Sequence, residues 1–243
     1  MEIIDTIWEK RNLGCDSVEI RCTHEDAELD TESILSLRQP YQVIKIPCAK
    51  TELLLQAQSL GFMLIECQVL FKTNLNDLRL PSKFERMVRY VSYHEASEKE
   101  IEDTLREIRD DNIFTRDRIA LDPCFSREIA GKRYANWIQD LLDKNYVMYI
   151  HTYKDEYFGW IVANAEEGKS ADVLIGGNSQ KKMWPGMGIA GQFLAIQLAR
   201  DKRSTGIHYG VSTNNLRQIK NVIEFGSKIE EIEYVLIKHI DHK

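Results

Sequence analysis

Apolar and polar residues alternate with a period of two in SVEIRC (17–22) and YQVIKIP (41–47), as expected of half-buried strands. TELLLQAQSL (51–60) opens on a threonine and spaces its apolar residues for a helix, which Gly61 stops before FMLIECQVLFK resumes as a strand. LRLPSKFERM (78–87) carries one of five prolines and separates this group from a new pattern. The chain is therefore expected to divide into a small α/β domain over 1–82 and a larger one over 83–243.

Beyond the boundary, ASEKEIEDTLREIRDD holds a capping box of Ser97 and Glu100, with Ile101, Leu105 and Ile108 along one helix face. A second helix, SREIAGKRYANWIQDLL, aligns Tyr134, Trp137, Ile138 and Leu141. NYVMYIHTYK, YFGWIVANAE and ADVLIGG then read as strands whose short connections require antiparallel neighbours. A glycine loop, the apolar helix IAGQFLAIQLAR, the strand GIHYGVS, the helix TNNLRQIKNVIEFG and the strand EEIEYVLIKHI complete the chain. That last trio repeats the order of residues 43–72 in pattern, not in letters. Coincidence and a partial duplication both account for it. The class expected is α+β with a mixed sheet.

Composition removes several alternatives. With 43% hydrophobic and 29% charged residues, disorder and fibre classes are excluded. Five scattered cysteines without a C-x-x-C pair read as reduced thiols, and no apolar run suggests a signal or membrane span, so a cytoplasmic protein is expected. Residues 1–80 hold 8 basic and 13 acidic side chains of the 32 and 38 in the chain, which places the acidic excess in the first third. No basic cluster marks a nucleic-acid binder. The six histidines lack metal-site spacing, so no metal is expected, and no G-x-S-x-G or Cys-His signature supports a hydrolase.

The stretch MWPGMGIAGQFLA (183–195) sets Gly186, Gly188 and Gly191 at G-x-G-x-x-G spacing. A dinucleotide site would place these glycines directly after a strand, with an acidic residue about 20 positions on. Eight residues intervene after VLIGG, and no Asp or Glu lies between Lys202 and Ile223, so that reading fails. Glycines at a helix start still suit an anion at the positive end of the helix dipole, with Lys181 and Lys182 just upstream. A tight packing loop is the alternative.

The element order from residue 90 onward, together with GMGIAGQFL, resembles the GCN5-related N-acetyltransferase superfamily, whose Q/R-x-x-G-x-G/A motif corresponds to Pro185, Gly188 and Ala190. STNNLRQIKNVIEFG is similar to that family's N-x-x-A-x-x-L-Y-E-K-x-G-F, with Asn215 and Gly226 matching. Three positions depart: Pro185 replaces Gln or Arg, Val222 replaces the tyrosine that protonates the departing thiolate, and Ser227 replaces phenylalanine. DRIALDPCF (117–125) and YANWI (134–138) resemble segments of TDP-fucosamine acetyltransferase-like enzymes, which also carry a smaller N-terminal domain.

The resemblance implies an acyl-CoA N-acyltransferase fold and acetyl transfer from acetyl-CoA to a small amine, most specifically the amino group of a nucleotide-linked sugar. Leu174, Ile175 and Gly176 would pair with the pantetheine arm. Gly186, Met187, Gly188, Ile189, Ala190 and Gly191 would hold the pyrophosphate with Lys182, and Asn215 and Asn221 would reach the arm. Candidate bases are His208, Asp172 and Glu156, with Asp155 beside it; each acid also reads as a solvated hairpin charge, and His208 as a half-buried strand residue. Arg118, Asp122 and Tyr134 are the candidate acceptor contacts, against a loop-ordering ion pair and a core aromatic. A non-catalytic acyl-CoA-binding module and a protein or peptide acceptor are the competing functions; a homodimer is left open.

Overall fold

Backbone pairing joins the period-two segments into one sheet. The computed structural model describes residues 1–111, 113–180 and 184–240. Ten strands run β1 (Glu2–Asp5), β2 (Ser17–Arg21), β3 (Tyr41–Pro47), β4 (Met63–Asn74), β5 (Val91–Glu95), β6 (Val147–Tyr153), β7 (Glu156–Asn164), β8 (Ser170–Asn178), β9 (Gly206–Ser212) and β10 (Ile229–His239). Between them lie α1 (Lys10–Leu13), α2 (Thr31–Ser36), α3 (Thr51–Ser59), α4 (Glu85–Val88), α5 (Glu98–Asp110), α6 (Arg118–Leu121), α7 (Arg127–Leu142), α8 (Met187–Asp201) and α9 (Leu216–Glu224). The expected mixed α+β class holds. Ser97 and Glu100 form the full capping box at the start of α5.

The spatial strand order is β1-β2-β3-β10-β4-β9-β8-β7-β6-β5. Its first eight positions are symmetric about the β10–β4 pair. β2 and β3 are parallel, as are β8 and β9, and every other pairing is antiparallel. Each half therefore runs strand, strand, helix, parallel strand, helix, strand. In each, the last connection skips one position in the sheet. The skipped position is filled by the last strand of the other half: β10 lies between β3 and β4, and β4 lies between β10 and β9. The resemblance in pattern between residues 43–72 and the C-terminal trio thus has a counterpart in topology.

Strand alternation sends apolar side chains to two helix layers. On one face, Ile20, Ile44, Ile46 and Leu236 pack with Leu53 and Ala57 of α3, while Ile161, Ala163, Ala171 and Ile207 meet α8. On the other, Val43, Val235 and Ile237 pack with Ile119 of α6 and Ala130 of α7, and Trp160, Val162 and Ile175 pack with α5 and Ile138 of α7. α7 thus spans both halves on this face. No described helix is long and apolar enough to cross a membrane.

Because Leu236 of β10 is fully buried in the core of the N-terminal half, Leu236→Ala is expected to lower stability by about 2–5 kcal/mol. Urea unfolding followed by circular dichroism and by fluorescence should show one coincident transition, since residues 1–82 depend on a strand from the other end of the chain.

Candidate functional site

Parallel strands β8 and β9 pair only at Ser170–Gly206, Ala171–Ile207 and Asp172–His208. Beyond that row β8 continues to pair with β7 as far as Asn178, and β9 with β4 as far as Ser212, so the sheet splits into a V. Val162 opposes Ile175 and Ala163 opposes Val173, which leaves Leu174 as a bulge without a partner on β7. From Val173 onward, the β9-facing backbone groups of β8 have no ladder partner. Leu174, Ile175 and Gly176 lie along this open edge.

At the end of the open edge stands α8. Its N-cap is Gly186 at φ 89°, a left-handed conformation that suits glycine, and no side chain caps the first turn. Ala190 N–H donates to the Gly186 carbonyl, the first turn of the helix, and the amides of Met187, Gly188 and Ile189 have no partner among the described residues. Gly188 meets α9 closely: a Cβ there would stand 2.7 Å from the Asn221 Nδ2. Gly191 lies over β6, where a Cβ would be 3.7 Å from His151 Nδ1 and 3.9 Å from Asn178 Oδ1. Lys181 and Lys182 lie outside the described residues. Asn215 serves as the N-cap of α9, accepting from Gln218 N–H, and Arg116 Nη1 donates to the same oxygen at 3.4 Å.

The N-terminal half has the same topology without this opening. β2 and β3 stay paired from Ser17–Tyr41 to Arg21–Lys45, and Cys22 N–H still donates to the Lys45 carbonyl. The intervening helix α2 is capped by Asp30, whose carboxylate takes the Ser33 amide at 3.1 Å. A carboxylate of the protein itself thus occupies the helix terminus that α8 leaves free.

Asp172 and His208 face each other at the apex of the V, with Oδ1 3.5 Å from Nδ1, and both are part-exposed. His208 Nε2 is buried without a protein partner. By the two-residue period Tyr209 takes the other face, where its hydroxyl bonds Ser227 and receives Gln192 Nε2 at 3.3 Å. Glu156 is at the far end of β7, in the hairpin turn with Asp155, while the Asp172 row meets β7 at Asn164. The structure therefore brings Asp172 and His208 together and leaves Glu156 eight residues of strand away. Val222, at the position of the family tyrosine, is fully buried beside Phe71 and Val211.

Of the candidate acceptor contacts, Arg118 and Tyr134 share one environment and Asp122 another. Arg118 lies 3.6 Å from Glu9 and 3.8 Å from Glu19, instead of pairing with Asp122 or Asp117. Tyr134 stacks on Phe114, ring centroids 3.8 Å apart. Burial drives the Tyr134 hydroxyl far above its ordinary pKa, with Asp117 adding to it. Asp122 instead accepts from the Cys124 amide at 2.9 Å and meets His239 Nε2 at 2.7 Å, which ties the turn after α6 to the end of β10. Donor atoms of Asp122, Cys124 and His239 lie within 4.8 Å of one another, yet both Asp122 oxygens already have these partners. Composition offered no signal for Glu66, which β4 brings to the open end of β9 from the other half.

These features can be set beside known proteins. No family model matches the sequence, and no curated protein matches it. Solved structures do match. A GCN5-related N-acetyltransferase from Sphaerobacter thermophilus aligns at TM-score 0.53 and 12% identity over 83% of this chain and 60% of that one. A GCN5-related glucosamine N-acetyltransferase region of a fungal multi-domain β-N-acetylglucosaminidase aligns at 0.57 and 13% over 80% and 25%. A tandem protein of the same superfamily from the clavulanic acid biosynthesis pathway aligns at 0.52 and 7% over 84% and 65%. The fold is that of the GCN5-related N-acetyltransferases. A tandem arrangement among the neighbours accords with the two-half topology seen here.

His151 provides a test of this architecture. It is 1% exposed with neither ring nitrogen partnered, and burial pushes its pKa down to about 3. The unfolded chain protonates it near pH 6.5. Its contribution is therefore present above pH 6.5 and is lost as pH falls from there toward 3, at up to about 1.4 kcal/mol per pH unit. Glu9 and Glu19 lose their stabilisation only below the ordinary carboxylate range, and Glu66, raised by burial, acts in the opposite sense. Between pH 6.5 and 5, His151→Phe is expected to flatten the fall in stability; equal slopes in both proteins would count against it.

Proposed function

We propose that the protein is an acetyl-CoA-dependent N-acetyltransferase acting on a small amine. The observation that carries this reading is the split at Asp172–His208, leading along an unpaired strand edge to the uncapped glycine start of α8. An anionic pyrophosphate fits free amides at the positive end of a fifteen-residue helix. An extended amide-bearing arm fits the edge of β8, which lacks a neighbour over residues 173–178.

Acetyl-CoA supplies the acyl group as a thioester. The chain's residues have two tasks. His208 Nε2 takes the proton of the acceptor ammonium so that its nitrogen lone pair can form the bond to the acyl carbon as the C–S bond breaks; Asp172 steadies the imidazolium. The backbone of the Leu174 bulge, on the edge that β9 leaves unpaired, is placed to donate to the carbonyl oxygen as it gains charge. With Val222 at the tyrosine position, the departing thiolate has no phenol on α9 and takes its proton from water or from the imidazolium.

In this reading residues 83–243 form the catalytic domain and 1–82 a companion domain with a closed copy of the cleft. An amino sugar is the first acceptor class to test, supported by the glucosamine N-acetyltransferase neighbour and by the DRIALDPCF and YANWI segments.

Acetyl-CoA is expected to raise the melting temperature, and Gly188→Val, which drives a side chain into Asn221, to weaken CoA binding at least roughly tenfold by calorimetry. His208→Gln should reduce kcat by about 10²–10⁴-fold with CoA affinity unchanged. Absence of CoA binding, or a His208→Gln enzyme of full activity, overturns the proposal.

A further inference from the structure

Away from the V, three chemically different donors meet where the turn after α6 reaches the end of β10. Asp122, Cys124 and His239 each bring one ligand atom to this place, and these atoms all lie within 4.8 Å of one another. Asp122 is 2% exposed, His239 is half-buried and Cys124 is exposed, so solvent reaches the cluster from the thiol side.

The chain builds the cluster from two directions. Pro123 fixes the backbone between Asp122 and Cys124. The Asp122 carboxylate folds back to accept the Cys124 amide at 2.9 Å, and Phe125 N–H donates to the Asp122 carbonyl at 3.1 Å. One tight turn thus supplies both the carboxylate and the thiol. His239 arrives on β10, where the ladder sets it opposite Tyr41 of β3. The Tyr41 and Phe125 rings stand 5.1 and 5.4 Å from the imidazole and 5.1 Å from each other, so two aromatic walls hold its orientation.

Thiol, imidazole and carboxylate together suit a borderline-soft divalent ion, whereas hard cations take oxygen ligands. Around a tetrahedral zinc ion with bonds of about 2.0–2.3 Å, ligand atoms stand roughly 3.3–3.6 Å apart. The cluster brackets that spacing, with His239 Nε2 2.7 Å from Asp122 Oδ2 and all three ligand atoms inside 4.8 Å. One carboxylate and one thiolate balance a divalent charge, so a filled site adds no net charge beside the aromatic walls. Arg118, the cation of α6, is turned to Glu9 and Glu19.

We propose that Asp122, Cys124 and His239 hold a zinc-class divalent ion, with water in the fourth position. Binding exchanges the His239–Asp122 contact for bonds to the ion, and the Cys124 thiol gives its proton to the buffer as sulfur coordinates. The ion staples the turn between α6 and α7 to the strand that the C-terminal half places in the other half's sheet. Because β10 lies two positions from β9 in the sheet, the site is separate from the split at Asp172–His208. It does not rest on the acetyltransferase reading.

The test is titration of the intact, untagged protein with Co²⁺, followed by absorption, and with Zn²⁺, followed by calorimetry. One equivalent of Co²⁺ is expected to bind with the ultraviolet thiolate-to-cobalt charge-transfer absorption that reports a sulfur ligand. Zn²⁺ should displace it and raise the melting temperature. Cys124→Ser should remove the charge-transfer absorption and weaken Zn²⁺ binding at least roughly tenfold, and His239→Gln should weaken it as much. Cys48→Ser, outside the cluster, should leave both unchanged; circular dichroism checks that each variant is folded. No charge-transfer absorption in the parent protein, or full Zn²⁺ affinity retained in Cys124→Ser or His239→Gln, overturns the inference.

Discussion

The antiparallel pairing of β4 with β10 is the constraint on which the rest of the molecule depends. Each strand ends one half of the chain, and each fills the gap in the other half's sheet. An unfilled gap would expose two rows of backbone donors and acceptors, which an interior cannot leave unpaired. Neither half can therefore close its sheet alone. The same exchange carries Glu66 to the open end of β9, far from its neighbours in sequence.

The two halves share a topology and differ in one physical respect. In the N-terminal half, β2 and β3 remain paired to their ends and Asp30 caps α2. In the C-terminal half, pairing stops at Asp172–His208 and the first turn of α8 is free. Splitting a parallel pair forfeits ladder hydrogen bonds. The unpaired edge and the glycine-lined helix start are then available to a ligand that offers acceptors and negative charge. One half is closed and the other open within a single sheet.

Buried charge joins the halves on the other face. Glu9 of the first half is held by Arg133 of α7, and Arg11 meets Asp140. Burial disfavours the Glu9 carboxylate, yet Arg133 and Arg118 more than offset it and hold its pKa below the ordinary value. Such pairs add little net stability over apolar contacts, but removing one partner is costly. They therefore fix how α6 and α7 sit over the sheet, and so where Arg118 and Tyr134 stand.

The local signals in the sequence were strong where they depended on neighbours along the chain. Alternation marked the strands, Ser97 and Glu100 marked a helix start, and short connections determined the antiparallel β6–β7–β8 run. The glycines at 186, 188 and 191 marked a helix terminus open to an anion, and excluded a dinucleotide site by what was missing around them. Long-range pairing was not legible: no pattern in FMLIECQVLFK says that β10 will lie on one side of it and β9 on the other. For the same reason Glu66 carried no signal, Asp122 and Arg118 looked adjacent but separated into different environments, and Glu156 looked like a base but lies at the far end of β7. Periodicity reports which face a residue takes. Only tertiary pairing decides which other residues share that face, because register and strand exchange are properties of the whole sheet.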